Sequence, residues 1–409
     1  MASIKPFRAL RPAPDAAPAV ASVPYDVVST EEARALAQGN PLSFLHVTRS
    51  EIDLPEDVDP YSDRVYHQAR QNLERLRAEA PLVVPDTPAL YAYRLSIGAH
   101  EQLGIAGCFL LDEYEQDLIR KHERTRRDKE DDRTRHIVAL RAQTGVVFLT
   151  YRAVPAIDAL ARRVAEGEPL YDFTAPDGVR HTVWATGLDG TRQLVTAFAE
   201  VPALYIADGH HRAASAARAR TELQHRLGGP ADEADANTFL AVAFPHDQVQ
   251  ILPYNRIVRD LGGRSGEDLL AALRGRFHVI EGTSMPARKG QVGLYVAGRW
   301  YTIDLSGAAP EDDSRASSLD VALLQQHVLQ PLLGIGDIRT DKRIDFVGGA
   351  RGAAALEAAV DSGRAAVAFS MFPVSAEDLF AVSDAGGIMP PKSTWFEPKL
   401  RDGLLIHTI

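Results

Sequence analysis

The densest chemistry in this chain is written in five consecutive residues, Asp208-Gly209-His210-His211-Arg212. They stand between an apolar run, Ala203 to Ala207, and an alanine-rich stretch that ends at Arg218. That order predicts a strand, a tight turn and the first turn of a helix. A helix N-terminus presents N–H groups that have no intrahelical acceptor, together with partial positive charge, so it favours anions. Gly209 lets a ligand come close to the backbone. His210, His211 and Arg212 add donors at the same point, and a phosphate is the natural guest. Without a ligand, Asp208 is a plain N-cap and the histidines are surface residues.

Three further groups could serve such a site. The chain is almost wholly charged from Arg120 to His136, and His122, Arg126, Lys129, Arg133 and His136 fall at i, i+4, i+7, i+11 and i+14. On one helix that spacing makes a cationic stripe, which an anionic ligand fits. The plain alternative is a solvated helix laced with ion pairs. Glu123 and Asp132 are the acid/base or metal groups at hand. Arg49 and Glu51 end a β-rich run, Ser43 to Thr48. The tail from Met389 to Lys399 holds three prolines and two aromatics, which restrict its freedom. Lys392 and Ser393 would meet an anion there, unless the tail only packs the C-terminal strand, Leu404 to His407.

The elements that must position these residues follow from periodicity. Ser29 with Glu32 reads as a capping box that opens a short helix. Tyr61 to Glu79 is amphipathic. Tyr171 to Thr174 and Val179 to Trp184 read as a hairpin about Asp177-Gly178. Thr238 to Pro245 is a buried strand, and Gly228 to Asp235 is a mobile loop. Leu319 to Leu333 is a helix. The organisation shifts near residue 262. We therefore expect an N-terminal α/β region, 1–262, with the phosphate-binding core, and a C-terminal α/β region, 263–409, whose tail is a candidate to return to the site.

The 409 residues are 45% hydrophobic and 24% charged, which is ample for a large core. A net charge of −10 argues against a broad nucleic-acid surface. The single cysteine, Cys108, lies in an apolar run and supports no disulfide framework. No apolar run has membrane-spanning length and the N-terminus has no signal-peptide core, so the expected address is the cytoplasm. Walker-type, G-x-G-x-x-G, H-E-x-x-H and C-x-x-C motifs are absent.

The blocks Pro6-Phe7-Arg8, Pro24-Tyr25-Asp26-Val27, Lys121 to Arg126, Ala207 to Arg212 and Met389 to Lys399 together resemble the DUF1015 family along essentially the whole chain. That family is named for its lack of a known function. More narrowly, the Asp-Gly-His-His-Arg box after a strand is similar to the phosphate-binding box of the ParB/sulfiredoxin-like fold, in the form found in free serine kinases. The chain lacks the helix-turn-helix of ParB proteins and the Gly-Cys-His-Arg of sulfiredoxins. The resemblance implies an α/β (α+β) fold, a mixed sheet core of ParB/sulfiredoxin-like type with large N- and C-terminal elaborations. It implies a phosphotransferase, a kinase that moves a phosphoryl group from ATP or ADP, with CTP a further candidate, to a small hydroxyl substrate such as free L-serine. Gly209, His210, His211 and Arg212 would hold the phosphates, with His122, Arg126, Lys129, Arg133, Lys392 and Ser393 also on the nucleotide. Asp208 would orient the acceptor hydroxyl or a Mg²⁺ ion, and Glu123 or Glu51 would be the base. The partners would be the nucleotide and an amino acid, with no nucleic acid and no membrane, and with a second copy of the chain as a further candidate. A nucleotide-binding regulatory module and a phosphate-ester hydrolase stay open as alternatives.

Overall fold

The computed structural model describes residues 2–80, 82–227 and 235–409. The loop expected at Gly228 to Asp235 therefore lies, but for its last residue, outside the described residues. The chain forms two compact units. The first comprises Met1–Lys121, Thr125–Val249 and Pro398–Ile409, and the second His122–Arg124 and Gln250–Glu397.

The first unit is built on a mixed sheet. Its strands run Ile119–Arg120, Leu204–Asp208, Val147–Tyr151, Thr238–Pro245, His100–Leu110, Tyr91–Ile97, Arg180–Ala185 and Tyr171–Thr174, with Ile4–Lys5 also on His100–Leu110. Thr238–Pro245 pairs parallel with Val147–Tyr151 and antiparallel with His100–Leu110. Its continuous apolar run explains this central place, since both faces are covered and every residue in it is buried. Phe109, Phe198, Phe239, Leu204 and Ile206 share the core beneath it. The Arg127–Leu140 and His210–Leu227 helices pack on one another. Arg218 clips them by bonding Glu130 and Asp131, and Ser215 Oγ donates to the Glu130 carbonyl at 3.2 Å.

Two local expectations fail for physical reasons. Ser43 to Thr48 forms no strand. Helix Leu45–Thr48 is followed by the 3-10 turn Ser50–Asp53, because Phe44 and Val47, three apart, both enter the core beside Leu73 and Leu76. The charged run is not one helix from Arg120 either. Ile119–Arg120 is a strand, and the helix starts only at Arg127, with Arg126 as its N-cap residue. The expected capping box is formed: Ser29 Oγ accepts from Glu32 N at 3.1 Å, and Ser29 N donates to Glu32 Oε2 at 2.8 Å.

The second unit carries an antiparallel sheet in the order His278–Glu281, Arg299–Asp304, Gln291–Val296, Val367–Met371, Tyr254–Val258 and Ile344–Gly348. Gln250–Leu252 pairs separately with Trp395–Glu397. The helix expected at Leu319 to Leu333 is interrupted: Asp320–Leu324 leads through a π turn, Gln325–Leu329, into Gln330–Leu333. The fold is thus mixed α/β with a mixed sheet, as expected. Among the described residues no helix is long and apolar enough to cross a membrane.

Candidate functional site

The strand Leu204–Asp208 ends on Asp208, and the helix begins at His210, so Gly209 alone makes the bend. Its φ of +97° is a region that side chains rarely adopt. A Cβ there would also lie 3.4 Å from the Val147 Cα and from the Arg212 side chain. The first bond of the helix runs from Ala213 N to the Gly209 carbonyl at 3.1 Å. The N–H groups of His210, His211 and Arg212 therefore precede the ladder, at the positive end of the helix.

Asp208 is the acid at this bend. Its carboxylate accepts from Lys399 Nζ at 2.9 Å and keeps 28% of its side chain exposed. Burial works against its charge, but Lys399, then Arg212, and behind them His210, hold the carboxyl far below the usual carboxylate range. Asp208 is thus an ionised carboxylate at neutral pH, compensated by Lys399 and Arg212.

Arg212 departs from expectation. It does not point outward as a donor for a ligand. It folds back over Gly145 and Gly209, where a Cβ on Gly145 would come within 3.1 Å of its side chain. Nη1 donates to the Val146 carbonyl at 2.8 Å and Nη2 to Asp26 Oδ1 at 2.6 Å. Burial disfavours its charge, but Asp26, Asp208, Asp402 and Tyr25 more than restore it, so the guanidinium stays charged. Its value at the bend is therefore a fixed buried cation rather than free donors.

Asp402 closes this network from the C-terminal segment. It is 1% exposed, and its Oδ2 has no hydrogen-bond partner. Burial pushes its carboxyl up to about 7 against the pull of Arg212, with Asp26 adding repulsion. Asp402, Arg212, Arg133, Tyr25, Thr144 and His136 line a cavity of about 30 Å³.

The other named residues divide. His211 Nε2 accepts from the Arg126 backbone N–H at 3.0 Å, so that nitrogen is deprotonated. The Arg126 side chain is exposed and grips Asp128. Lys129 Nζ donates to the Tyr61 hydroxyl at 3.0 Å. Arg133 lies over the Tyr25 ring at 4.3 Å and is spent on Asp132 and the Thr48 carbonyl. Asp132 also accepts from the Tyr66 hydroxyl, so it is no free acid. His136 is buried against the Val47 carbonyl. Burial, then Arg133, pushes it down to about 4, so it is neutral at pH 7 and adds nothing to a cationic stripe. Glu51 pairs with Arg49 at 2.8 Å and accepts from Thr30. Arg49 in turn donates to the Tyr25 carbonyl, one residue from Asp26.

Within the second unit, His122 is buried. Its carbonyl accepts from Met389 N at 2.8 Å, and its Nε2 lies 3.4 Å from Thr394 Oγ1. Glu123 and Arg124 line a cavity of about 500 Å³ with Glu311, Gln330, Arg339 and Pro390. Lys392 is exposed, and Ser393 is buried with its Oγ donating to the Pro390 carbonyl at 2.5 Å.

Sequence reasoning missed Asp26, Lys399 and Asp402. The first two stood inside the blocks that carried the family resemblance, Pro24-Tyr25-Asp26-Val27 and the tail ending at Lys399. Asp402 had no local signal at all.

Several solved structures are similar to this chain. A glutamate-to-alanine variant of free serine kinase in complex with AMP matches at 13% identity, covering 74% of this chain and 91% of that one, with a TM-score of 0.36. A conserved hypothetical protein from Pyrococcus furiosus matches at 13% identity over 74% and 94% of the two chains, with a TM-score of 0.35. The same kinase variant in complex with ADP matches at 13% identity over 74% and 92%, with a TM-score of 0.35. Comparison with curated proteins finds no match. Residues 4–322 match the family described as "Protein of unknown function (DUF1015)", and the chain belongs to that family.

Proposed function

We propose that this chain is a phosphotransferase that moves a phosphoryl group from a nucleotide to a small hydroxyl substrate, with free L-serine as the first acceptor to try. The observation that carries the reading is Asp208: an ionised carboxylate between Lys399 and Arg212, one glycine before a helix N-terminus. Phosphoryl transfer needs mostly positioning and charge neutralisation, and this bend offers both. Lys399, the buried Arg212 and the helix end supply fixed positive charge where a phosphate is held. His210 and His211 flank it. Asp208 would hold a Mg²⁺ ion, which when bound supplies neutralisation of phosphate charge. Glu123 is the proposed base for the acceptor hydroxyl, with Glu51 as the second choice. Lys129 and Arg126 are the proposed neighbours of the transferred group. ATP or ADP is the proposed donor, with CTP next. The same reading puts the protein in the cytoplasm, working on small molecules without nucleic acid or membrane, with a second copy of the chain as a further partner.

The test is a transfer screen of free amino acids and small alcohols against ATP, ADP and CTP, read by mass. Asp208→Ala should lower turnover by roughly 10²–10³-fold, the scale for removing one charged contact of the transition state. His211→Ala and Glu123→Gln should act in the same direction, with the fold unchanged by circular dichroism. Unaltered turnover in Asp208→Ala rejects the assignment. Inorganic phosphate released without any acceptor selects the hydrolase, and nucleotide binding with no product selects the regulatory module.

A further inference from the structure

Among the described residues three arginines are buried: Arg212, Arg256 and Arg401. Arg212 has Asp26 and Arg401 has Asp177 as ion-pair partners. Arg256, on the Tyr254–Val258 strand of the second unit, is 1% exposed and has no carboxylate partner among the described residues. Buried charges are ordinarily paired, because burial removes their hydration. Arg256 makes do with neutral groups. Nη1 donates to the Tyr254 carbonyl, Nη2 donates to the Lys392 carbonyl at 3.0 Å, and the guanidinium lies 5.5 Å from the Phe346 ring. Burial pushes it down to about 10, which still leaves it charged at pH 7.

The tail that caps this arginine is itself bent against preference. Lys392 has φ of +58°, a left-handed conformation that a lysine seldom adopts and that its surroundings must enforce. Its Nζ lies 5.3 Å from the centroid of the Tyr254 ring, so a second cation sits over the residue that accepts from Arg256. A planar guanidinium fork matches an oxyanion better than it matches two separate carbonyls. We propose that Arg256 and Lys392 form an oxyanion-binding site in the second unit, with the Lys392 carbonyl as the partner that a phosphate displaces. The ligand is a phosphate, free or carried by a nucleotide, and the proposal does not rest on the transferase reading.

Hydrogen exchange read by mass on the whole protein tests it, following residues 388–397. Titration with inorganic phosphate, and separately with ADP, is compared with sodium chloride at matched ionic strength. We expect at least a twofold change of exchange in this segment with phosphate, ADP or both, persisting in Asp208→Ala. Response to ADP alone marks the nucleotide as the source, and response to phosphate marks the free ion. Arg256→Met should abolish the response. Should that variant misfold, Lys392→Gly carries the test: it removes the ammonium, relaxes the bend and should weaken the response at least tenfold in apparent affinity. No change with either ligand, the same change with chloride, loss of the response in Asp208→Ala, or full response in a folded Lys392→Gly overturns the proposal.

Discussion

Two of the left-handed bends among the described residues, Gly209 beside Arg212 and Lys392 beside Arg256, are each tied to a buried arginine, and they are built in opposite ways. At the first, glycine occupies the left-handed position and the arginine is surrounded by acids: Gly209 with Arg212, Asp26, Asp208 and Asp402. At the second, a lysine occupies it and the arginine has only carbonyls and rings: Lys392 with Arg256. The first bend has a relaxed backbone, and its arginine is paired with an acid without any ligand. The second keeps an uncompensated cation under a strained cap. Charge alone does not separate these two cases. What separates them is which acids the fold brings in, and whether the residue at the bend has a side chain.

Removing each arginine sharpens that contrast most. Arg212→Met takes the ion-pair partner from Asp26 and the buried cation from beside Asp208 and Asp402, and taking one partner from a buried pair typically costs about 3–5 kcal/mol. Arg256→Met strands only carbonyls, so its cost should be about 1–2 kcal/mol, the scale of buried groups left unsatisfied. Urea unfolding of both variants at pH 7 measures the difference. Equal losses would mean that the acids around Arg212 do not matter, and the comparison would fall.

Asp402 gives the next effect, and pH exposes it. Its folded value of about 7 lies above the ordinary 3.8, so the folded protein holds a proton that the unfolded chain has released. Stability is therefore lost as pH rises from about 4 to about 7, with up to roughly 4 kcal/mol at stake for a shift of that size. Asp402→Asn copies the protonated form. It should match the wild type near pH 4 and be the more stable of the two at pH 8. A pH-independent difference between them would show that Asp402 does not titrate in this window. Asp208 has the opposite sign, since its depressed carboxyl contributes stability that is lost only as pH falls below about 4.

How much of this could be read from the chain depends on the range of the contact. The strand, bend and helix around Gly209 follow from an apolar run, a glycine and an alanine-rich stretch, all local. The same holds for the Ser29–Glu32 capping box and for the mixed α/β class. Arg212 could not be read, because its partner Asp26 is 186 residues away and the acid at 402 comes from the far end of the chain. The stripe of cations failed for another reason. Helical spacing has meaning only inside a helix, and Arg127 begins that helix after three members of the charged run, His122, Glu123 and Arg124, have joined the other unit. Ser43 to Thr48 misled because β-rich composition over six residues does not reveal whether Phe44 and Val47 will share a face.

The smallest effect probes the bends themselves. Gly209→Ala puts a Cβ at φ +97°, within 3.4 Å of the Val147 backbone and of Arg212. Left-handed backbone costs an L-residue about 1–2 kcal/mol, and the contact adds to it, so the variant should lose about 1–3 kcal/mol. Lys392→Gly makes the reverse exchange. It removes a comparable strain at φ +58° but gives the unfolded chain more freedom, which costs roughly 0.5–1 kcal/mol. The net change should be under about 1 kcal/mol, neutral or stabilising. Paired thermal melts at one pH read both. If Lys392→Gly instead destabilises as much as Gly209→Ala does, the lysine at the second bend is held by contacts worth more than its strain, and the cap over Arg256 is a fixed part of the fold rather than a replaceable one.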